Sequence, residues 1–193
     1  MVEVRHLPAI RALSPLDGHY HGAAGLALTP APARTLISLH LSESAAGPVG
    51  AALGLALPNR PKTSAEGEGL AVLWLGPDDL LLLAEEAGDA APAELVARIE
   101  ASGSAEQSAV DVSDRFVAIA LDGWAAEAVL ASGCPQDLRL PAFPVGAVSR
   151  SVLARAEIVL WRRSETRFEL FCGRSFADYV WDYLVEATRA PAL

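Results

Sequence analysis

The sequence predicts an α+β fold, either one sizeable domain or two small lobes sharing a core, and three observations carry that expectation. The chain has 193 residues, 52% hydrophobic and 20% charged, which is apolar enough to fold and too short for a large multi-domain enzyme. Short apolar runs bounded by turn residues alternate with segments of helical periodicity. A strand–turn–strand–helix pattern also comes twice. Val72-Leu73-Trp74 and Val159-Leu160-Trp161 are each followed, four residues after the Trp, by Asp78 and Glu165, at one offset (159 − 72 = 87; 165 − 78 = 87). A hairpin and a helix cannot bury their apolar faces alone, whereas two packed copies can. The alternative, that any α+β chain offers two such hairpins, stays open because only the one tripeptide is identical.

Residues 1–34 hold Pro8, Pro15, Pro30 and Pro32 with Gly18, Gly22 and Gly25. This composition disfavours long regular structure and predicts an extended arm that lies on the fold or reaches across a partner. Residues 35–193 form the domain, with a division near 35–110 and 111–193. It opens on a half-buried strand in which Ile37, Leu39 and Leu41 alternate with Ser38, His40 and Ser42. A Gly- and Ala-rich stretch follows, then a polar loop over 59–69. Residues 71–75 and 80–84 are apolar runs joined by Gly76-Pro77-Asp78-Asp79, a hairpin by composition. Pro92 opens a helix with Leu95, Val96 and Ile99 on one face, ending near Gly103. Strands are expected at 109–112 and 115–121, then a short Ala-rich helix to about residue 131, stopped by Gly133-Cys134-Pro135. Residues 141–146, with two prolines, form a loop or edge segment; 149–155, 157–161 and 167–172 are three successive strands. Ser175 is placed to cap the last helix with Asp178 in the capping-box position, and Phe176, Val180, Tyr183, Leu184 and Ala187 form its stripe.

The net charge of −9 and the absence of a basic run among the fifteen Lys and Arg argue against a nucleic-acid partner. Residues 1–20 contain no apolar stretch of signal-peptide or membrane-span length, so a cytoplasmic location without membrane contact is expected. Cys134 and Cys172 lack metal-ligand spacing and are expected as reduced thiols rather than a disulfide.

The search for chemistry returns no phosphate-cradling glycine loop, nucleophile elbow or histidine pair at helical spacing. His6, His19 and His21 lie in the arm; His19 and His21 could share a metal only where the arm is strand-like, the alternative being exposed or interface positions. His40, on the polar face of its strand, is expected solvated or hydrogen-bonded. Asp78-Asp79 fits a turn, with an acid–base pair as the competing reading. Asp111-Val112-Ser113-Asp114-Arg115 places a hydroxyl between carboxylates, either as a capped turn or as a polar site. Cys134 would need a base to act as a nucleophile, and no histidine follows it. Trp161, Phe168, Phe171, Tyr179 and Trp181 fit a core or subunit interface better than a cofactor stripe. Tyr179 and Trp181 flank Val180, which puts aromatics on more than one face of the final helix. No residue is assigned a catalytic, cofactor-binding or metal-binding role.

Several segments, in order and spacing, resemble the gamma subunit family of heterotetrameric sarcosine oxidase. They are Asp111-Val112-Ser113, Gly133-Cys134-Pro135-Gln136-Asp137-Leu138, Ala142-Phe143-Pro144-Val145-Gly146, Ala156-Glu157-Ile158-Val159-Leu160-Trp161 and Arg174-Ser175-Phe176-Ala177-Asp178-Tyr179-Val180-Trp181. The turn Trp74-Leu75-Gly76-Pro77-Asp78-Asp79 is similar to the family's first hairpin. Two features depart from the family: Asp114 stands where members often have histidine, and residues 1–34 carry no alignable motif. The resemblance implies two interlocked α/β lobes with mainly antiparallel sheets, related to the folate-binding aminomethyltransferase module. It further implies a non-catalytic, cofactor-free chain beside alpha, beta and delta subunits, with FAD, FMN, NAD and tetrahydrofolate held elsewhere in the complex. A free-standing tetrahydrofolate-binding module, and a small enzyme using Asp111, Ser113 and Asp114, are the alternatives. The arm before Thr35 and the final helix are the expected partner surfaces.

Overall fold

A computed structural model of the chain describes residues 14–67, 69–84 and 91–190. In chain order it contains β1 (His21–Ala23), β2 (Leu26–Pro30), β3 (Thr35–Leu41), α1 (Glu43–Leu53), β4 (Ser64–Gly67), β5 (Leu70–Gly76), β6 (Asp79–Ala84) and α2 (Ala91–Glu100). Then come β7 (Gln107–Asp111), β8 (Phe116–Asp122), α3 (Ala126–Ala131), β9 (Val148–Leu153), β10 (Ala156–Arg162), β11 (Arg167–Gly173), a 3-10 turn (Arg174–Phe176) and α4 (Ala177–Ala187). The strands form a five-stranded sheet, β4-β5-β6-β3-β7, and a six-stranded sheet, β1-β2-β8-β11-β10-β9, with antiparallel pairing throughout.

Strands that are apolar at nearly every position need cover on both faces. β5, β6, β10 and β11 receive it because the two sheets stack on each other and helices cover their outer faces. On the outer face of the five-stranded sheet, Val72, Leu80 and Leu82 pack with Val49 and Leu53 of α1 and Leu95 and Ile99 of α2. On the outer face of the six-stranded sheet, Ile158, Leu160, Phe168 and Leu170 pack with Leu130 of α3 and Val180, Trp181 and Leu184 of α4. Between the sheets, Leu36, Ala71, Leu73, Leu81 and Leu83 meet Val148, Val159, Trp161 and Phe171. At about 1.5–3 kcal/mol for each large apolar side chain fully buried, this middle layer alone rivals the net stability of an ordinary domain. The two halves therefore depend on each other.

The repeated unit is larger than the sequence pattern suggested. β3-α1-β4-β5-β6-α2 and β8-α3-β9-β10-β11-α4 have the same element order, and their strands assemble in the same spatial order, β4-β5-β6-β3 and β9-β10-β11-β8. The offset of 87 is corrected by the register. Val72 pairs with Leu82 and Leu160 with Leu170, all four on the helix-facing side, so equivalent positions differ by 88 (160 − 72; 170 − 82). A slip of one residue reverses every side chain. Trp74 accordingly packs toward the helices while Trp161 lies between the sheets, and the shared tripeptide is not structurally equivalent.

The fold fills in or revises several local readings. The described part of residues 1–34 contains the β1–β2 hairpin, whose β2 pairs with β8 and extends the six-stranded sheet. The Gly- and Ala-rich stretch is α1 despite Pro48, because Ala45, Val49 and Leu53 recur every four residues and bury completely. Residues within the expected polar loop 59–69 form β4, an edge strand of the five-stranded sheet. The capping box at Ser175 does not form: α4 is preceded by Phe176 without a side-chain cap. Phe176 leaves the expected stripe for solvent, and Ala177 and Trp181 take its place beside Val180 and Leu184.

Candidate functional site

The polar residues singled out by sequence are mostly engaged in holding turns. Ser113 Oγ donates to Asp111 Oδ1 at 2.6 Å, the Ser113 N–H donates to the same oxygen at 2.9 Å, and Ser113 Oγ accepts the Leu36 N–H at 3.0 Å. The hydroxyl is committed to fixing the crossover from β7 to β8 against β3, which is the capped turn; Asp114 is exposed beside it. The Asp78 carbonyl accepts the Leu41 N–H at 3.2 Å, again a structural use. Asp79 does something the sequence did not show: its Oδ2 lies 2.7 Å from Arg150 Nη2, joining β6 of one sheet to β9 of the other. His40 Nε2 stands 3.8 Å from Asp79 Oδ1.

The two described arm histidines diverge. His21 Nε2 bonds Thr188 Oγ1 at 3.0 Å, while His19 sets its ring edge against Trp181 with centroids 5.2 Å apart. His6 lies outside the described residues. Among the described residues, no group of three or more His, Cys, Asp or Glu is placed to hold a metal ion. Both cysteines are buried and unpaired; Cys134 Sγ lies 3.4 Å from Ser151 Oγ. Burial pushes the Cys172 thiol up to about 11, so it is neither a nucleophile nor a metal ligand near neutral pH. Trp161, Phe168, Phe171 and Trp181 are core residues.

Two buried cations brace the sheets. Arg162, 1% exposed, donates through Nη2 to Glu127 Oε2 and the Leu138 carbonyl, both at 2.7 Å, and through Nη1 to the Glu165 carbonyl at 3.1 Å. Its guanidinium also lies 4.4 Å from the Phe168 ring centroid. Arg34, in the connection from β2 to β3, forms a bidentate pair with buried Glu169, Nη1 reaching Oε2 at 3.2 Å and Nη2 reaching Oε1. Planar, permanently charged guanidinium suits such forks.

Among the described residues, a cleft of about 1420 Å³ opens at the end of the six-stranded sheet, where the β9–β10 turn, the start of β8 and the entry to α4 converge. Arg115, Arg150, Arg155 and Arg174 line it with Phe116 and Phe176. The sequence separates these arginines and shows no basic run, so only the fold reveals the cluster. Exposed apolar groups continue from its edge: Phe176 is 45% and Tyr179 40% exposed, and their rings meet edge to face with centroids 6.5 Å apart. A second exposed aromatic group caps the β1–β2 hairpin. Trp124, 66% exposed, packs against Gly25, where an added Cβ would come within 2.1 Å of its ring. Such a surface of arginine and aromatics, without an acid–base or nucleophile–base pair, is suited to protein contact.

Comparison with known proteins gives the same direction. The model of the sarcosine oxidase, gamma subunit family matches residues 41–190. The sarcosine oxidase subunit gamma of Corynebacterium sp. (strain P-1) is 37% identical over 137 residues, 70% of this chain and 66% of that one. Its counterpart from Arthrobacter sp is 36% identical over 138 residues, 71% of this chain and 66% of that one. The matched stretch thus spans just under two thirds of these relatives. Among solved structures, a chain of the heterotetrameric sarcosine oxidase from Corynebacterium sp. U-96, in complex with pyrrole 2-carboxylate, is similar with a TM-score of 0.80 and 28% identity over 90% of both chains. The glycine cleavage system aminomethyltransferase T from Bartonella henselae shares the fold, with a TM-score of 0.55 and 20% identity over 83% of this chain and 45% of that one.

Proposed function

Because the chain belongs to the sarcosine oxidase gamma subunit family, we propose that it is a non-catalytic gamma subunit that assembles or stabilises a heterotetrameric sarcosine oxidase-like complex. Oxidative demethylation of sarcosine or a related N-methyl amino acid then proceeds on alpha, beta and delta subunits, which hold FAD, FMN, NAD and tetrahydrofolate. One observation carries the reading: the similarity to the heterotetrameric enzyme runs over 90% of both chains. It therefore covers the whole two-lobed fold rather than a shared module. Supporting it, the polar residues with catalytic potential are spent on turns and ion pairs, while arginine and aromatic side chains stand exposed. No helix among the described residues is long and apolar enough to cross a membrane, and we place the complex in the cytoplasm.

A free-standing tetrahydrofolate-binding module is the reading this displaces, since the likeness to the aminomethyltransferase is one of fold. The test is co-expression with the large subunits of a sarcosine oxidase-like complex. Stoichiometric co-elution, with sarcosine turnover present in the complex and absent from the isolated chain, is expected. A chain that stays monomeric in that mixture, or that oxidises sarcosine alone with added flavin, overturns the proposal.

A further inference from the structure

The arginine-lined cleft has a chemistry opposite to that of the chain as a whole. Net charge is −9 with fifteen Lys and Arg in all, yet four of those cations line this one cleft, where Glu157 and Asp178 are the acids of the described lining. Arg150 is paired with Asp79 and Arg174 has an interaction of its own, so Arg115 and Arg155 carry the charge offered to a ligand. We infer that the cleft seats an acidic segment of a partner subunit, a short stretch of Asp or Glu side chains with an apolar anchor. The inference rests on the proposed gamma-subunit role and says which surface makes the contact and with what chemistry.

Three properties favour this occupant. First, the guanidinium groups are partly pre-placed: Arg150 is held by Asp79 at 2.7 Å, and Arg115 lies 5.5 Å from the centroid of the Phe116 ring. Placing them beforehand lowers the entropy lost on binding. Arg155, at the exposed β9–β10 turn, is given no ion pair by the described residues, so its charge is available. Second, α4 has no side-chain cap, and Ser175 and Phe176 at its entry line the cleft. The partial positive charge of the helix end adds to that of the arginines, offset in part by Asp178. Third, the cleft of about 1420 Å³ exceeds the roughly 300–1,000 Å³ of ordinary small-molecule pockets. Phe176 and Val152, both exposed on its lining, offer apolar contact that a small anion would not use. A nucleic acid fits less well, because the chain's net negative charge repels an extended phosphate backbone.

The experiment measures assembly with the large subunits, using wild-type chain, an Arg115→Glu/Arg155→Glu double variant, and an Arg60→Glu control on an exposed loop away from the cleft. Wild type and control are expected to bind equally and to weaken as salt is raised, whereas the double variant loses about tenfold or more in affinity. Thermal unfolding of each isolated chain checks folding; if the double variant is destabilised, Arg155→Glu alone carries the test. Wild-type assembly with an unimpaired cleft variant overturns this inference and leaves the gamma-subunit reading standing. Failure of wild type to assemble overturns both. Intact assembly of the variant, together with loss of a phosphate-induced rise in the Tm of the isolated chain, also overturns it and assigns the cleft to a small anion.

Discussion

Arg162 shows how a single residue can read one way in sequence and act another way in the fold. It follows the largely apolar run 157–161, a position where an arginine ordinarily meets solvent, yet it is fully buried and bonded to Glu127 and two main-chain carbonyls. Nothing in the spacing announces this, because its partners come from α3, the α3–β9 connection and the β10–β11 turn and are assembled only by tertiary packing. Replacing it by methionine keeps much of the bulk over Phe168 but leaves the Leu138 and Glu165 carbonyls without their donor. Arg162→Met is expected to lower unfolding stability by about 2–3 kcal/mol, read as a lower urea midpoint at unchanged m-value; a loss below about 0.5 kcal/mol would show that the fork is dispensable. Cys172 gives a prediction with a defined sign. Its folded-state thiol is raised by burial from 9.0 to about 11, so folding holds its proton more tightly. Its contribution to stability is full below pH 9 and is lost as pH climbs toward 11. At pH 8, iodoacetamide should label Cys172 only as fast as the chain unfolds, and rapid labelling of the native protein would contradict the burial.

At the scale of elements, the apolar strands were legible and the Gly- and Pro-rich ones were not. The β5–β6 and β10–β11 hairpins carry long apolar runs, and no competing element explains such runs between turn residues. α1 was missed because Gly47, Pro48 and Gly50 oppose a helix locally while burial of Ala45, Val49 and Leu53 against β3 and α2 overrides them. β1 and β2 were missed because Gly25, at φ 77° in their hairpin turn, and the neighbouring prolines read as loop composition, while a close approach of main chain holds the hairpin on the sheet. Gly123, where β8 ends, has φ of 137° and would place an added Cβ 2.1 Å from the Gly25 carbonyl oxygen. The connection between β1 and β2 thus passes directly over the end of β8. Gly123→Ala must move main chain, and is expected to cost more than about 2 kcal/mol and lower Tm by several degrees. At Gly25 the obstacle is mainly the exposed Trp124 ring, which can swing away, so Gly25→Ala should cost less even though φ is 77°. The reverse ranking by calorimetry would remove the argument that β2 is held at this crossing. The candidate surface was legible only in part: the aromatics of the final helix stood out in the sequence, whereas Arg115, Arg150, Arg155 and Arg174 meet only once β8, β9, β10 and α4 are placed.

For the whole molecule, the duplicated topology raises the question of whether the halves are two domains or one. The first half needs the second because Leu36, Ala71, Leu73, Leu81 and Leu83 are covered between the sheets by side chains of β8, β9, β10 and β11. The second half needs the first for the same layer, and for the Asp79–Arg150 pair across it. Arg34 strengthens the dependence. It lies in the segment leading from the six-stranded to the five-stranded sheet and is fixed to Glu169 of β11, so the chain is pinned where it changes sheet. Separate unfolding of one half would expose this apolar layer and leave a buried charge unpaired, and each cost is large beside the 5–15 kcal/mol that a domain holds in total. The isolated chain should therefore unfold in a single transition. Fluorescence of Trp161, between the sheets, and of Trp74, under the helices of the first half, should change at the same denaturant concentration as far-UV circular dichroism; single-Trp variants separate the two signals. Two resolved midpoints would mean that the lobes are independent and that the layer between them adds little.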